Sequence, residues 1–288
     1  MPTATVDGLA IAYELLGEGG RPWAVTPGGR YHMGSPGVRE LGRALADAGQ
    51  RVLLWDRPNT GASDVCFRGD TESEMQADVL VGLIRELDLG PTILAGGSGG
   101  ARVSMLAARH REVAAGLAVW WISGGPYGLL TLGTHYCGPS IKAGWNGGME
   151  AVVALPDWAE SQQLNPGNRG LLLAQDPTEF LATMERWMLA YCPSSDEVVP
   201  GFTADDAAAL DVPAIVFRSG ASDMNHTRAT SEAVAAALPN AELVEPPWGD
   251  TEWVDRQAAR DRGEGGIFSG WYQLVPQLVE WSARAVPG

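Results

Sequence analysis

Apolar and polar positions alternate in two different rhythms along the first 120 residues. Ile11–Leu16 and Trp23–Thr26 are short apolar runs, and Arg51–Trp55 reads as a buried strand. Between them, Val38 to Ala48 has helical spacing, with Leu41, Leu45 and Ala48 on one face. A second helix begins after Thr71, which forms a capping pattern with Glu74. Its Leu80, Leu83, Ile84 and Leu87 recur at i, i+3, i+4 and i+7. A strand at Thr92–Ala95, a helix from about Ser98 to His110 and a strand at Gly116–Trp121 follow. Strands and helices that alternate this closely predict a parallel sheet covered on both faces.

The rhythm breaks from about Ser123 to Asp211. No strand is evident there, only helical pieces (Lys142–Leu155, Pro177–Ala190) rich in Trp and Met and separated by Pro and Gly. It resumes with a strand at Ala214–Arg218, a helix at Thr227–Leu238, a strand at Glu242–Glu245 and a helix near Trp271–Ala285. The expected architecture is one α/β core domain, residues 1–122 and 212–288, with a helical cap inserted at 123–211.

Composition narrows the function. The 288 residues carry 20 Lys+Arg against 35 Asp+Glu, a formal charge of −15. That acid excess argues against nucleic-acid partners and against an anionic membrane surface. No run of 18 apolar residues is present. Met1 to Gly20 contains Asp7, Glu14 and Glu18 and lacks the pattern of a secretory signal. Cys66, Cys137 and Cys192 have no paired spacing, so a cytoplasmic setting without disulfides is expected. No metal-ligand spacing appears, and no cofactor is called for.

The sharpest chemical signal is Gly96-Gly97-Ser98-Gly99-Gly100, a G-x-S-x-G sequence directly after a strand and before a helix. A serine on such a turn projects its hydroxyl beside a helix N-terminus, with the Gly99 N–H placed to donate to an oxyanion. A dinucleotide reading fails: started at Gly96, the second glycine falls on Ser98, and started at Gly97, the third falls on Arg102. Asp56-Arg57-Pro58-Asn59-Thr60-Gly61-Ala62-Ser63 approximates D-x-x-G-x-G-x-S and departs from it at Asn59.

On these motifs the chain resembles the α/β-hydrolase fold superfamily over nearly its full length. The resemblance implies a mostly parallel sheet with helices on both faces, Ser98 as nucleophile and Gly29, within Thr26-Pro27-Gly28-Gly29, as the second oxyanion donor. It also implies Asp223 as the triad acid, at the end of Ser219-Gly220-Ala221-Ser222-Asp223; the plainer reading is an Asx turn ahead of Thr227. The triad histidine has no place in this alignment. Asp250 stands where the family carries it, and no histidine follows residue 226.

An aspartate is a far weaker base than an imidazole unless burial or a neighbouring acid raises its pKa. The base is then His226, His32 or Asp250. His226 also reads as a plain helix-start residue, and His32 as a polar lid residue. Trp121, Tyr127, Trp187 and Trp248 are expected to wall an aromatic, mostly neutral pocket, although core packing explains a helical stripe such as Met184, Trp187, Met188 and Tyr191 equally well. The expected activity is cleavage of a small apolar or aromatic ester or lactone. A non-hydrolytic enzyme of the same fold (lyase, decarboxylase or cyclase) and a silent small-ligand binder are the alternatives, both suggested by the misplaced histidine.

Overall fold

A computed structural model describes residues 1–192, 194 and 196–286. Its main sheet contains β1 (Thr3–Val6), β2 (Leu9–Leu16), β3 (Pro22–Thr26), β4 (Arg51–Trp55), β5 (Thr92–Gly97), β6 (Ala114–Trp120), β9 (Ala214–Phe217) and β10 (Ala241–Val244). The strand order is β1-β2-β4-β3-β5-β6-β9-β10. β2 runs antiparallel to both β1 and β4, and the remaining pairs are parallel.

The central strands are apolar on both faces because helices cover both. Side chains alternate between two cores with the two-residue period of a strand. Trp23 and Val25 of β3 enter one core and Ala24 the other; Val52 and Leu54 of β4 part in the same way from Leu53 and Trp55. On one face lie α2 (Glu72–Glu86) and α3 (Gly99–Ala107); on the other lie α1 (Val38–Asp47), a 3-10 turn at Trp271–Leu274 and α11 (Val275–Ala285). Thr71 caps α2, its hydroxyl accepting the Glu74 N–H at 2.9 Å.

Between β6 and β9 the chain runs through α4 (Pro126–Val153), α5 (Pro156–Leu164), α6 (Gly167–Leu173) and α7 (Pro177–Leu189). α4 kinks at Gly147 and Gly148, where the backbone leaves helical angles. A short antiparallel pair, β7 (Glu197–Val199) and β8 (Phe202–Thr203), follows and leads into α8 (Ala204–Ala209). This pair corrects the expectation of a strand-free segment: two or three residues per strand are too few to show a period. α9 (Arg228–Ala237) separates β9 from β10, and α10 (Glu252–Asp261) follows β10. Among the described residues no helix is long and apolar enough to cross a membrane.

Candidate active site

The parallel strands all end at one edge of the sheet, and the loops leaving that edge bring the chemistry together. Ser98 joins β5 to α3 with φ +58° and ψ −127°, a conformation that costs a non-glycine residue about 1–3 kcal/mol. The turn is held by hydrogen bonds from the Ser98 N–H to the carbonyls of Trp121 at 2.9 Å and Trp120 at 3.3 Å. Trp121 itself has a positive φ of 45°. The glycines around Ser98 permit close approach of the backbone. A Cβ on Gly100 would lie 2.1 Å from the Thr26 carbonyl oxygen, and one on Gly28 would lie 2.6 Å from the Ser98 Cβ.

The Ser98 hydroxyl has a partner in a chain of close contacts. His226 Nε2 lies 2.8 Å from Ser98 Oγ, and His226 Nδ1 lies 2.9 Å from Asp223 Oδ2. The carboxylate can only accept, so Nδ1 carries the proton and Nε2 is left to accept from the serine. Asp223 uses its second oxygen to accept the N–H groups of Asn225 and His226, each at 2.9 Å. The same carboxylate therefore makes the Asx turn and holds His226 Nδ1. Both residues are buried, Asp223 at 4% exposure and His226 at 1%. Aromatic rings fix the imidazole. Trp121 lies nearly parallel to it at 6.0 Å, and Trp253 meets it edge-on at 4.4 Å.

Asp250, which the family alignment places at the base position, is not near this relay. It is exposed, it forms an ion pair with Arg228, and its backbone carbonyl accepts the Ser222 hydroxyl at 2.7 Å. The loop after β10 is held outward by these contacts, while the loop after β9 supplies both acid and imidazole. His32 is also elsewhere. Its Nε2 lies 3.5 Å from Glu160 on α5, and its Nδ1 accepts the Gly34 N–H at 3.2 Å.

Gly29, with φ +51°, brings its backbone nitrogen close to Gly99, where a Cβ would lie 3.4 Å from it. Arg57 arranges this by donating through Nη2 to the carbonyls of Gly28 at 3.3 Å, Gly29 at 2.5 Å and Tyr31 at 3.2 Å. Burial lowers the Arg57 pKa to about 10. Asp56 braces the same loops, accepting the N–H groups of Met33 and Ala62, and burial pushes its carboxyl above the usual range.

The aromatic residues expected to wall the pocket divide. Trp121, which stacks on His226, meets Trp248 at 5.7 Å with the rings tilted. Tyr127 is 60% exposed. Trp187 is buried, with its indole N–H donating to the Gly69 carbonyl, because its helical face packs inward. The cavity that includes Gly29, Gly99 and Ser123 is instead lined by Arg57, Glu72, Arg102 and Tyr191, so the expectation of a neutral wall is corrected. Ser123 lies 3.4 Å from Ser98, Oγ to Oγ. Sequence reading gave Arg57, Glu72 and Arg102 no place in a pocket, since they come from the loop after β4, from α2 and from α3 with no shared spacing. The Asp223-x-x-His226 interval was the available signal for the relay.

No protein-family model and no curated protein matches the sequence. Solved structures do match in shape. The enol-lactonase from Burkholderia xenovorans LB400 is 21% identical, with 98% of this chain and 100% of that one covered and a TM-score of 0.58. A thermophilic esterase from Thermogutta terrifontis is 20% identical, with 99% of each chain covered and a TM-score of 0.60. An alpha/beta hydrolase enzyme from a Medee basin deep-sea metagenome library is 16% identical, with 96% of this chain and 97% of that one covered and a TM-score of 0.61. With its strand order and its helices on both faces of the sheet, the chain has the α/β-hydrolase fold.

Proposed function

We propose that the protein is a serine hydrolase that cleaves an ester or lactone through Ser98, His226 and Asp223. The observation that carries this reading is the unbroken chain of contacts, 2.8 Å from Ser98 Oγ to His226 Nε2 and 2.9 Å from His226 Nδ1 to Asp223. Ser98 Oγ attacks the carbonyl carbon as its proton passes to His226 Nε2. The N–H groups of Gly29 and Gly99 receive the oxyanion. Collapse breaks the bond to the leaving oxygen, which takes the proton from His226. Water then gives a proton to His226 and attacks the acyl carbon. Ser98 leaves with that proton, and a carboxylic acid is released. With a lactone the leaving oxygen stays in the same molecule.

Asp223 holds the imidazole in the accepting tautomer and stabilises it when charged. Helices α4–α7 act as a cap over this edge of the sheet, with Tyr136 of α4 reaching the Gly29 loop: its hydroxyl would lie 3.0 Å from a Gly29 Cβ. Asp250 has no role in proton transfer in this scheme. The alternative readings, as a lyase, decarboxylase or cyclase or as a silent binder, drew on a histidine missing from its usual place; the contact of His226 with Ser98 favours the hydrolase. The solved enol-lactonase and esterases of like shape are consistent with ester chemistry. A fluorophosphonate probe is expected to label Ser98 in the native protein and to fail on Ser98→Ala and His226→Ala. Equal labelling of His226→Ala would overturn the relay.

A further inference from the structure

Tyr136 belongs to α4, the first helix of the cap, yet its phenol reaches the glycine loop after β3. Its hydroxyl would lie 3.0 Å from a Cβ on Gly29, so the oxygen and not the ring meets that loop. Among the described residues this hydroxyl has no hydrogen-bond partner; Arg30 Nη2 donates instead to the Tyr136 backbone carbonyl at 3.2 Å. A phenol shielded from bulk water usually has a partner. Burial also holds its proton on, well above the usual phenol range, so the group is a donor and not a base.

The phenol is held in place from the oxyanion side. Arg30 follows Gly29 in the chain, and its guanidinium lies 4.6 Å from the Trp158 ring of α5 and 5.7 Å from the Tyr136 ring. One side chain thus ties the Gly29 loop to two cap helices. Glu72, the carboxylate nearby, is 3.6 Å from Arg30 and accepts from Asn59 Nδ2 at 3.0 Å, so its charge is met by its own partners.

Tyr136, Gly29, Gly99 and Ser123 line one small cavity. Its free volume is about 20 Å³, enough for one water-sized group and for no chain. Ser123 Oγ in its wall is 3.4 Å from Ser98 Oγ, which places the cavity next to the nucleophile. A single oxygen fits such a space, and the oxygen of a carbonyl under attack forms two bonds away from Ser98 Oγ. The cations in the same wall are engaged. Arg57 donates to the carbonyls of Gly28, Gly29 and Tyr31 and to Gln76, and Arg102 donates to Ser73 and Tyr191.

We propose that the Tyr136 hydroxyl is a third oxyanion donor, supplied by the cap and acting beside the Gly29 and Gly99 N–H groups. As Ser98 Oγ bonds to the carbonyl carbon, the C=O π pair moves onto the oxygen and the serine proton goes to His226. Tyr136 donates a hydrogen bond to that oxygen and keeps its own proton. The donor set is then complete only with α4 seated on the core. This deepens the serine-hydrolase reading and rests on it.

The test is Tyr136→Phe, which keeps the ring against Arg30. With p-nitrophenyl propionate, kcat should fall by about 10²-fold and KM should change by less than about threefold, because the donor acts where charge develops. Ser98 converts 1,1,1-trifluorobutan-2-one to a hemiketal oxyanion with the same ethyl chain, and that ketone should inhibit the variant about 10²-fold less tightly. The kcat loss should be constant from about pH 6 to 9, since the phenol stays protonated. The urea midpoint should not move. A kcat within about threefold of native, undiminished inhibition by the ketone, or a loss in KM alone overturns the proposal. So does a loss confined to one end of the pH range, or one matched by a fall in urea stability. Failure of the native protein to react with a fluorophosphonate at Ser98 strikes the hydrolase reading itself, whereas native turnover with an unaffected Tyr136→Phe strikes only the third donor.

Discussion

Two neighbouring loops leave the same sheet edge from adjacent parallel strands, yet they have opposite characters. The loop after β9 is tied inward. Asp223 folds it with two backbone hydrogen bonds, its Gly220 packs against the Asp250 backbone, and its His226 is clamped between Trp121 and Trp253. The loop after β10 lies outside it, with Asp250 exposed and bonded to Arg228, Ser222 and the Ala221 N–H. A proton acceptor needs fixed geometry and exclusion of water, and only the inner loop offers both. Position in the chain is therefore a weaker guide to the partner of Ser98 than the packing that holds it.

The contrast can be broken most severely at the inner loop. Ser98→Ala and His226→Ala should each lower kcat for an activated ester by roughly 10³- to 10⁶-fold, and the double variant should be no worse than either, because the two act as a unit. Additive losses would separate them. Asp223→Asn should cost about 10³- to 10⁴-fold in kcat. The amide oxygen can still accept the Asn225 and His226 N–H groups, so the urea midpoint should move little; a large shift would mean that the carboxylate acts mainly as a fold determinant.

A smaller effect is expected where the loops touch. A Cβ on Gly220 would lie 2.3 Å from the Asp250 carbonyl oxygen. Gly220→Ala should therefore destabilise by about 1–3 kcal/mol in equilibrium unfolding as the loops part. The smallest effect belongs to the outer loop. Asp250→Ala removes an exposed ion pair and should change stability by no more than about 1 kcal/mol and activity by less than about threefold. A loss near that of His226→Ala would return Asp250 to the mechanism.

The alternation of apolar runs made the α/β sheet legible, and Arg51–Trp55 was read to the residue. The tight turn at Ser98 was equally plain, since G-x-S-x-G between strand and helix is a local pattern with a local cause. α10 was not legible; Ala259 is its one buried residue, and it lacks an apolar stripe. Neither was the charged cavity. Arg57, Glu72 and Arg102 converge from separate elements, and in a sequence each reads as a solvated surface charge.

Local rules acting over a few residues were enough to determine the central strands, the Thr71 cap, the Ser98 turn and the Asp223 turn, because backbone sterics and side-chain period operate at that range. Which histidine meets Ser98 was decided by tertiary structure alone. His226 and Ser98 are 128 residues apart and lie 2.8 Å from each other only because β5, β6 and β9 are neighbours in the sheet. The same packing placed Asp250 at the surface and gathered the Arg57 and Arg102 guanidinium groups beside Gly29 and Gly99.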